Sequence, residues 1–265
     1  MKGVRIVQVD AFTAEPFRGN PAGVCLLDQW APDDWMQAVA AEMNLSETAF
    51  LVRQGAGFEI RYFTPAVEVP LCGHATLASA HLLLEEGLVP LGKALSLSAK
   101  GGQLSAASEG AWICLDFPAI PVSKADLPEG LSEALGAEIL SAYRSWEDGY
   151  LVELDGASTV RDLAPDFTRL RAFGPINVTA AGNGETGCDF VSRFFAPSLG
   201  IDEDPVTGVA HCSLAPFWAE RLGKTEMVGH QLSRRGGVVK VRARGERVEI
   251  LGRAVTVMWG EIAGW

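Results

Sequence analysis

The stretch Arg61-Tyr62-Phe63-Thr64-Pro65, followed by Cys72-Gly73-His74-Ala75 and an apolar run, decides the fold because the chain repeats it. Arg193-Phe194-Phe195-Ala196-Pro197 leads in the same way to Asp204-Pro205-Val206-Thr207-Gly208-Val209-Ala210 and a second apolar run. Each copy reads as strand, turn, glycine, helix. Laid on each other, Gly73 meets Gly208, Ala75 meets Ala210 and Ala80 meets Ala215. A duplication this far apart predicts two similar lobes, with two glycine-opened helix N-termini facing one cleft. The first turn of a helix leaves backbone N–H groups unpaired and carries the positive end of the helix dipole, which suits a carboxylate.

The flanking sequence fills in both lobes. Residues 4–9 and 24–27 read as strands, the latter preceded by a turn at Phe17-Arg18-Gly19-Asn20-Pro21-Ala22-Gly23. Pro32-Asp33-Asp34 opens a helix with Trp35, Val39 and Met43 at helical spacing. Strands follow at 49–53 and 57–63, the second alternating Phe58, Ile60 and Tyr62 with Glu59 and Arg61. Helix 74–86 is apolar nearly all round and stops at Gly87, so it reads as the buried central helix of its lobe. Strands at 94–99 and 111–116 complete that lobe, and Phe117-Pro118-Ala119-Ile120-Pro121 reads as the crossover. The second lobe is expected to hold strands near 139–145, 149–154, 176–180 and 188–195. Its apolar helix, 208–222, ends at Gly223, and Pro216 in its middle predicts a kink or an early break. Strands at 238–243, 247–251 and 254–259 close the chain. The domain reading is residues 1–117 plus roughly 253–265 for the N-terminal lobe and 118–252 for the C-terminal lobe, an α+β class.

Composition narrows the function. With 265 residues the chain is long enough for one large domain or two small ones. The net charge is −11 and Lys and Arg form no long run, which speaks against nucleic acid or an anionic membrane surface as partner. No apolar stretch approaches the roughly 18 residues of a membrane span, and the N-terminus turns polar too early for a signal peptide. Cysteines at 25, 72, 114, 188 and 212 make an odd count, and Cys25 and Cys114 sit inside apolar strand-like runs, which favours reduced core thiols in a cytoplasmic protein.

Four segments are specific enough to carry a resemblance. They are Val9-Asp10-Ala11-Phe12 through Gly19-Asn20-Pro21-Ala22-Gly23-Val24; Leu45-Ser46-Glu47-Thr48-Ala49-Phe50; Phe63-Thr64-Pro65 through Cys72-Gly73-His74-Ala75-Thr76; and Glu203-Asp204-Pro205-Val206-Thr207-Gly208. In this order the chain resembles the phenazine-biosynthesis-like (PhzF-like) isomerases. The resemblance implies a diaminopimelate-epimerase-like fold: two lobes, each a β-roll around a central helix, with the active site between them. It also implies cofactor-independent proton transfer on a small carboxylate-bearing molecule, and a homodimer.

By the same resemblance, Glu47 is the general acid/base, and His74 and Asp204 are its catalytic companions. To shuttle a proton between carbons, Glu47 should be partly desolvated. His74 begins a helix, where the dipole favours a neutral ring. Asp204 has a plain alternative as a helix cap. Asn20, Cys72, Gly73, Thr207, Gly208 and Val209 are the expected substrate-binding residues, the glycines because backbone must approach the ligand closely. Asn20 is equally readable as holding its turn. Cys72 occupies the place of a catalytic thiol in related racemases, but the second lobe has no cysteine at the matching position, so it reads as pocket wall. A one-carbon epimerase using Cys72 and an opposing carboxylate stays open, as does a binding protein without chemistry. Val209 stands where the family often has serine, which removes a hydroxyl and puts shared substrate use in doubt. Cys72, His74, His211 and Cys212 are zinc-ligand types, but neither pair has a standard ligand spacing, and no metal is expected. Gly182, Gly184 and Gly187 do not form a dinucleotide-binding fingerprint. His81 and His230 have no argued role.

Overall fold

The structure, a computed structural model, describes residues 3–90, 92–145, 148–182 and 187–265. Gly184 and the first two residues lie outside them. The described chain divides into two compact units, residues 1–116 with 251–265, and residues 117–250.

In the first unit, β1 (Gly3–Ala11), β2 (Asn20–Leu27), β3 (Glu47–Gln54) and β4 (Gly57–Phe63) lie side by side. The first pair is antiparallel, the second parallel and the third antiparallel. The short β5 (Glu68–Val69) folds back on β4, and β6 (Leu95–Ala99) joins β4 in parallel. Then come β7 (Gly102–Glu109) and β8 (Trp112–Pro118), each antiparallel to the strand before it, while the last strand of the chain, β18 (Ala254–Ala263), pairs with β1. Helix α1 (Asp33–Met43) packs Met36, Val39 and Ala40 against Ile6, Cys25, Phe50 and Phe63 on one face of this sheet. Helix α2 (Gly73–Glu85) is buried on nearly every side.

The second unit repeats this order. Strand β9 (Ser123–Ala125) pairs with β10 (Ser141–Arg144), which pairs with β11 (Tyr150–Glu153), both antiparallel. Strand β12 (Ile176–Ala181) adds in parallel to β11, and β13 (Phe190–Ala196) runs antiparallel to β12. Strand β14 (Ile201–Asp204) folds back on β13, and β15 (Glu226–Gln231) joins β13 in parallel. Strands β16 (Gly237–Arg244) and β17 (Arg247–Gly252) follow. Three short helices, α3 (Leu131–Leu135), α4 (Ala157–Asp162) and α5 (Phe167–Leu170), cover one face, burying Ile176, Val178, Ala180 and Phe195. The other face takes α6 (Gly208–Leu222): Asn177 Nδ2 donates to Ala210 O at 3.3 Å and Trp218 Nε1 to Thr179 Oγ1 at 2.9 Å. A strand buried on both faces has no polar side to show, which is why the run from 176 to 181 lacks the alternation of a half-exposed strand.

Of the kink or early break expected at Pro216, the early break does not occur: α6 runs through it to Leu222. A mid-helix proline cannot donate to the carbonyl four residues back. Here Ile120 N–H donates to that carbonyl, Cys212 O, at 3.0 Å, so the group that proline leaves unpaired is satisfied from outside the helix. The turn expected over Phe17–Gly23 is shorter than that: it lies before Asn20, where β2 already begins. Strands β7 and β15 and the short β5, β9 and β14 were not legible from pattern.

The duplicated arginines explain why both copies of the motif fold alike. Arg61 Nε and Nη2 hold Glu68 at 2.8 and 3.0 Å, tying β4 to β5. Arg193 Nε and Nη2 hold Glu203 at 2.7 and 2.9 Å, tying β13 to β14. Each fork fixes the strand return that aims the next helix. Arg193 is the more buried, with side-chain exposure of 10% against 23% for Arg61, and its Nη1 also donates to Leu163 O at 2.8 Å. Removing one partner of a buried pair strands the other charge. Arg193→Met is therefore expected to lower unfolding free energy by about 3–5 kcal/mol, and Arg61→Met by about 1 kcal/mol, measured by urea denaturation.

Candidate active site

Five expected residues converge in the first unit. Strand β2 starts with Asn20, β3 starts with Glu47, and α2 starts at Gly73 with Cys72 as its N-cap and His74 next. The backbone before Asn20 is held tightly. Asp10 Oδ2 accepts the Phe17 N–H at 2.7 Å, and Gly19 has φ +63°, where a Cβ would meet Ala11 O at 2.1 Å. Only glycine fits that approach. Phe12 and Phe17 also have positive φ, a conformation costly for aromatic residues and common where a site over-determines its backbone.

His74 is the hub. Asn20 Nδ2 lies 3.2 Å from its Nδ1, Cys72 Sγ lies 3.4 Å from the same nitrogen, and Glu47 Oε2 lies 3.3 Å from its Nε2. The Asn20 amide nitrogen can only donate, so Nδ1 accepts and the ring proton sits on Nε2, facing Glu47. The Nε2–Glu47 contact is near but not aligned as a hydrogen bond, and catalytic hydrogen bonds are often loose without ligand. Burial pushes the imidazolium of His74 down to about 3, so the ring is neutral at working pH. The Glu47 side chain is 15% exposed, largely but not wholly removed from water.

Glu47, Cys72 and His74 together form a group of metal-ligand types, their nearest donor atoms within 4.8 Å of one another. The geometry suits hydrogen bonding better. Cys72 Sγ lies closest to Nδ1 of the ring and Glu47 Oε2 is near its Nε2.

Four expected residues gather in the second unit. Asp204 ends β14, Thr207 is the N-cap of α6, and Gly208 and Val209 begin the helix. Thr207 Oγ1 donates to Asp204 Oδ2. So the carboxylate does not cap α6: neither α2 nor α6 has a side-chain cap hydrogen bond. Their first-turn N–H groups have no competing side-chain acceptor at the cap, as the carboxylate-binding expectation requires.

Sequence reasoning missed Gln231, which is 1% exposed. Its Oε1 accepts the Thr207 N–H at 2.9 Å and its Nε2 donates to Asp204 O at 2.8 Å, so one amide fixes the whole Asp204–Thr207 turn. Among the other histidines, His211 has Nδ1 2.8 Å from Thr207 O and is neutral, with burial holding it at about 4. Because a carbonyl only accepts, the His211 proton is on Nδ1. All five cysteines are free, and burial pushes Cys25 and Cys212 up to about 12, which makes them inert.

With this geometry in view, comparison with known proteins is decisive. The model of the family described as phenazine biosynthesis-like protein matches residues 9–260. The chain belongs to that family. It is 47% identical over 260 residues to an uncharacterized isomerase of Pseudomonas aeruginosa, covering 97% of this chain and 98% of that one. It is 39% identical over 279 aligned positions to the human phenazine biosynthesis-like domain-containing protein, covering 96% of each. The crystal structure of a PhzF-family protein from Enterococcus faecalis superposes with a TM-score of 0.94 at 39% identity, covering 99% of this chain and 100% of that one. A hydroxyproline epimerase from Agrobacterium vitis superposes with a TM-score of 0.61 at 12% identity, covering 98% and 92%, a likeness of fold alone. The α+β fold of paired lobes around central helices is thus that of the PhzF and epimerase-like proteins. No helix among the described residues is long and apolar enough to cross a membrane.

The two buried histidines set an acid limit. Both have folded values below the ordinary 6.5, so the unfolded chain binds more protons as pH falls below about 6.5. Their contribution is present above 6.5 and is lost as pH drops toward 4. Unfolding free energy measured in urea is expected to fall between pH 7 and 5, by up to about 1.4 kcal/mol per pH unit per histidine. The slope is expected to be shallower in His211→Gln.

Proposed function

We propose that the chain is a cofactor-independent isomerase that moves a proton on a small carboxylate-bearing substrate, with Glu47 as general acid/base. The observation that carries this reading is the pairing of Glu47 with a neutral His74 at 3.3 Å beside the uncapped start of α2. The Glu47 carboxylate takes a proton from carbon, and the electron pair moves into the adjacent π system. Glu47, now a carboxylic acid, returns the proton to another carbon on the same face, so nothing is gained or lost overall. His74 Nε2–H, 3.3 Å from the Glu47 carboxylate, supports its charged form before and after the transfer. First-turn N–H groups hold the substrate carboxylate and the charge that develops. The reading includes Asp204, Thr207, Gly208 and Val209 acting on the same substrate, and a homodimer as the working form.

The test is a panel of amino acids, hydroxy acids and dihydroxylated cyclohexadiene carboxylates in D₂O, followed by NMR for deuterium uptake and for loss of starting material. A substrate found this way should be turned over by the wild type and not by Glu47→Gln, with at least a 10²-fold loss. A folded, active Glu47→Gln would contradict the role.

One observation favours a second reading. Cys72 Sγ lies 3.4 Å from His74 Nδ1, a distance at which a thiol serves as a second acid/base in one-carbon epimerisation. A neutral imidazole offers no positive charge to hold a thiolate, which weighs against it. Cys72→Ala is expected to keep most activity; a loss as large as that of Glu47→Gln would establish the epimerase.

A further inference from the structure

The duplication supplies an internal control for the side chains around Asp204. Phe58 on β4 pairs with Leu97 on β6, and Phe190 on β13 pairs with Gly229 on β15. With Arg61 answering to Arg193, Ala99 therefore answers to Gln231 and Gly101 to Ser233. On the strand returns, the arginine partners Glu68 and Glu203 answer to each other. Val69 then answers to Asp204, Pro70 to Pro205 and Cys72 to Thr207.

Both units tie down the proline carbonyl of this turn, with different groups. Gly101 N–H donates to Pro70 O at 2.8 Å, and Ser233 Oγ donates to Pro205 O at 2.7 Å. The first unit thus builds the same strand return and helix start with valine, cysteine and alanine where the second has Asp204, Thr207 and Gln231. The frame does not need the polar three, and the first unit lacks all of them together.

The proton order among the three is fixed from outside. A glutamine amide can be turned either way round, and here two backbone groups decide it. The Thr207 N–H can only donate, so the atom facing it at 2.9 Å is Oε1 of Gln231; Asp204 O can only accept, so the atom facing it at 2.8 Å is Nε2. Nε2 also lies 3.2 Å from Thr207 Oγ1, and there too it can only donate. The hydroxyl accepts from Gln231 and gives its single proton to Asp204 Oδ2. Gln231 and Thr207 are both buried, away from competing water. The Thr207 hydroxyl therefore has no proton left for a ligand.

We propose that Gln231 is a positioning residue of the second-unit site: its amide turns the Thr207 hydroxyl proton onto Asp204 and holds that carboxylate as a fixed acceptor. The Thr207 side chain serves Asp204 and does not itself bind substrate. The kinetic consequence rests on the proposed isomerase reading, in which Asp204 acts on the substrate; the proton order does not.

The test has two arms, both on the full-length protein. Neutron diffraction from a deuterium-exchanged crystal reads the proton order without substrate. The expected result is a deuteron on Thr207 Oγ1 directed at Asp204, with the Gln231 Nε2 deuterons directed at Asp204 O and Thr207 Oγ1. A deuteron on Asp204 Oδ2, or a Thr207 deuteron directed elsewhere, overturns the proposal. The kinetic arm uses a substrate whose turnover Glu47→Gln abolishes; activity that survives Glu47→Gln contradicts the isomerase reading and leaves the proton order to be judged by the first arm. Gln231→Ala, which carries the side chain found at the first-unit place, and Thr207→Val are each expected to keep the native ¹H–¹⁵N spectrum outside the turn. Each is expected to lower kcat by about 10- to 100-fold, the weight of a hydrogen bond to a charged group, with KM held within about two-fold. Thr207→Ser is expected to retain activity, and the double variant to lose no more than the worse single one, since both act through one bond. Losses that multiply, a raised KM with kcat kept, full activity in Gln231→Ala, or loss of its native spectrum each overturns the role.

Discussion

The structure depends on burying a helix on all sides. A surface helix can satisfy its ends with water, but α2, with His74 through Ala80 all below a tenth exposed, has sheet around it and its first turn at the edge of the core. Such a helix needs small residues where strands approach closely, and both helices supply them: Ala75, Ala78 and Ala80 in α2, Ala210, Ser213 and Ala215 in α6. It also needs its N-terminus aimed, because a buried, uncapped first turn is costly unless something occupies it. The Arg61–Glu68 and Arg193–Glu203 forks do the aiming, by fixing the strand return that precedes each helix. A helix start without a side-chain cap presents its first-turn N–H groups at a defined place, the arrangement that suits an anion.

The two units then diverged in their side chains and kept the frame. Thr76 and His211 occupy matching helix positions and bond the same carbonyl of the first turn, Cys72 O at 2.6 Å and Thr207 O at 2.8 Å. Residues that only hold the frame changed type while conserving the bond. Those expected to react did not conserve their chemistry: by strand register and helix position, Pro175 answers to Glu47 and Val209 to His74. The asymmetry is in keeping with the proposed transfer by a single carboxylate.

Much of this was legible in the sequence because it is local. Apolar helices closed by Gly87 and Gly223, the repeated Arg-aromatic-Phe strand and the glycine before each helix are visible as short patterns. Glu47, His74 and Asp204 were expected from motifs, and the structure places Glu47 and His74 in contact although 27 positions separate them. What escaped depends on long-range pairing. Gln231 and Asn177 look like ordinary polar strand residues, and only the fold reveals that they face a buried helix start. That Pro216 does not break its helix was not visible because the remedy, Ile120, comes from a segment nearly a hundred residues away. Two-residue strands such as β5 carry too little pattern to be seen, yet one of them supplies the partner of Arg61.

The central claim is that a neutral His74, its proton on Nε2, faces Glu47. Long-range ¹H–¹⁵N NMR of the histidine rings between pH 5 and 8 tests it directly. The account predicts an unchanging neutral Nε2–H tautomer for His74 across that range, with Nδ1 as a hydrogen-bond acceptor. Titration of His74 with a midpoint near 6.5, or a proton resident on Nδ1, would contradict it.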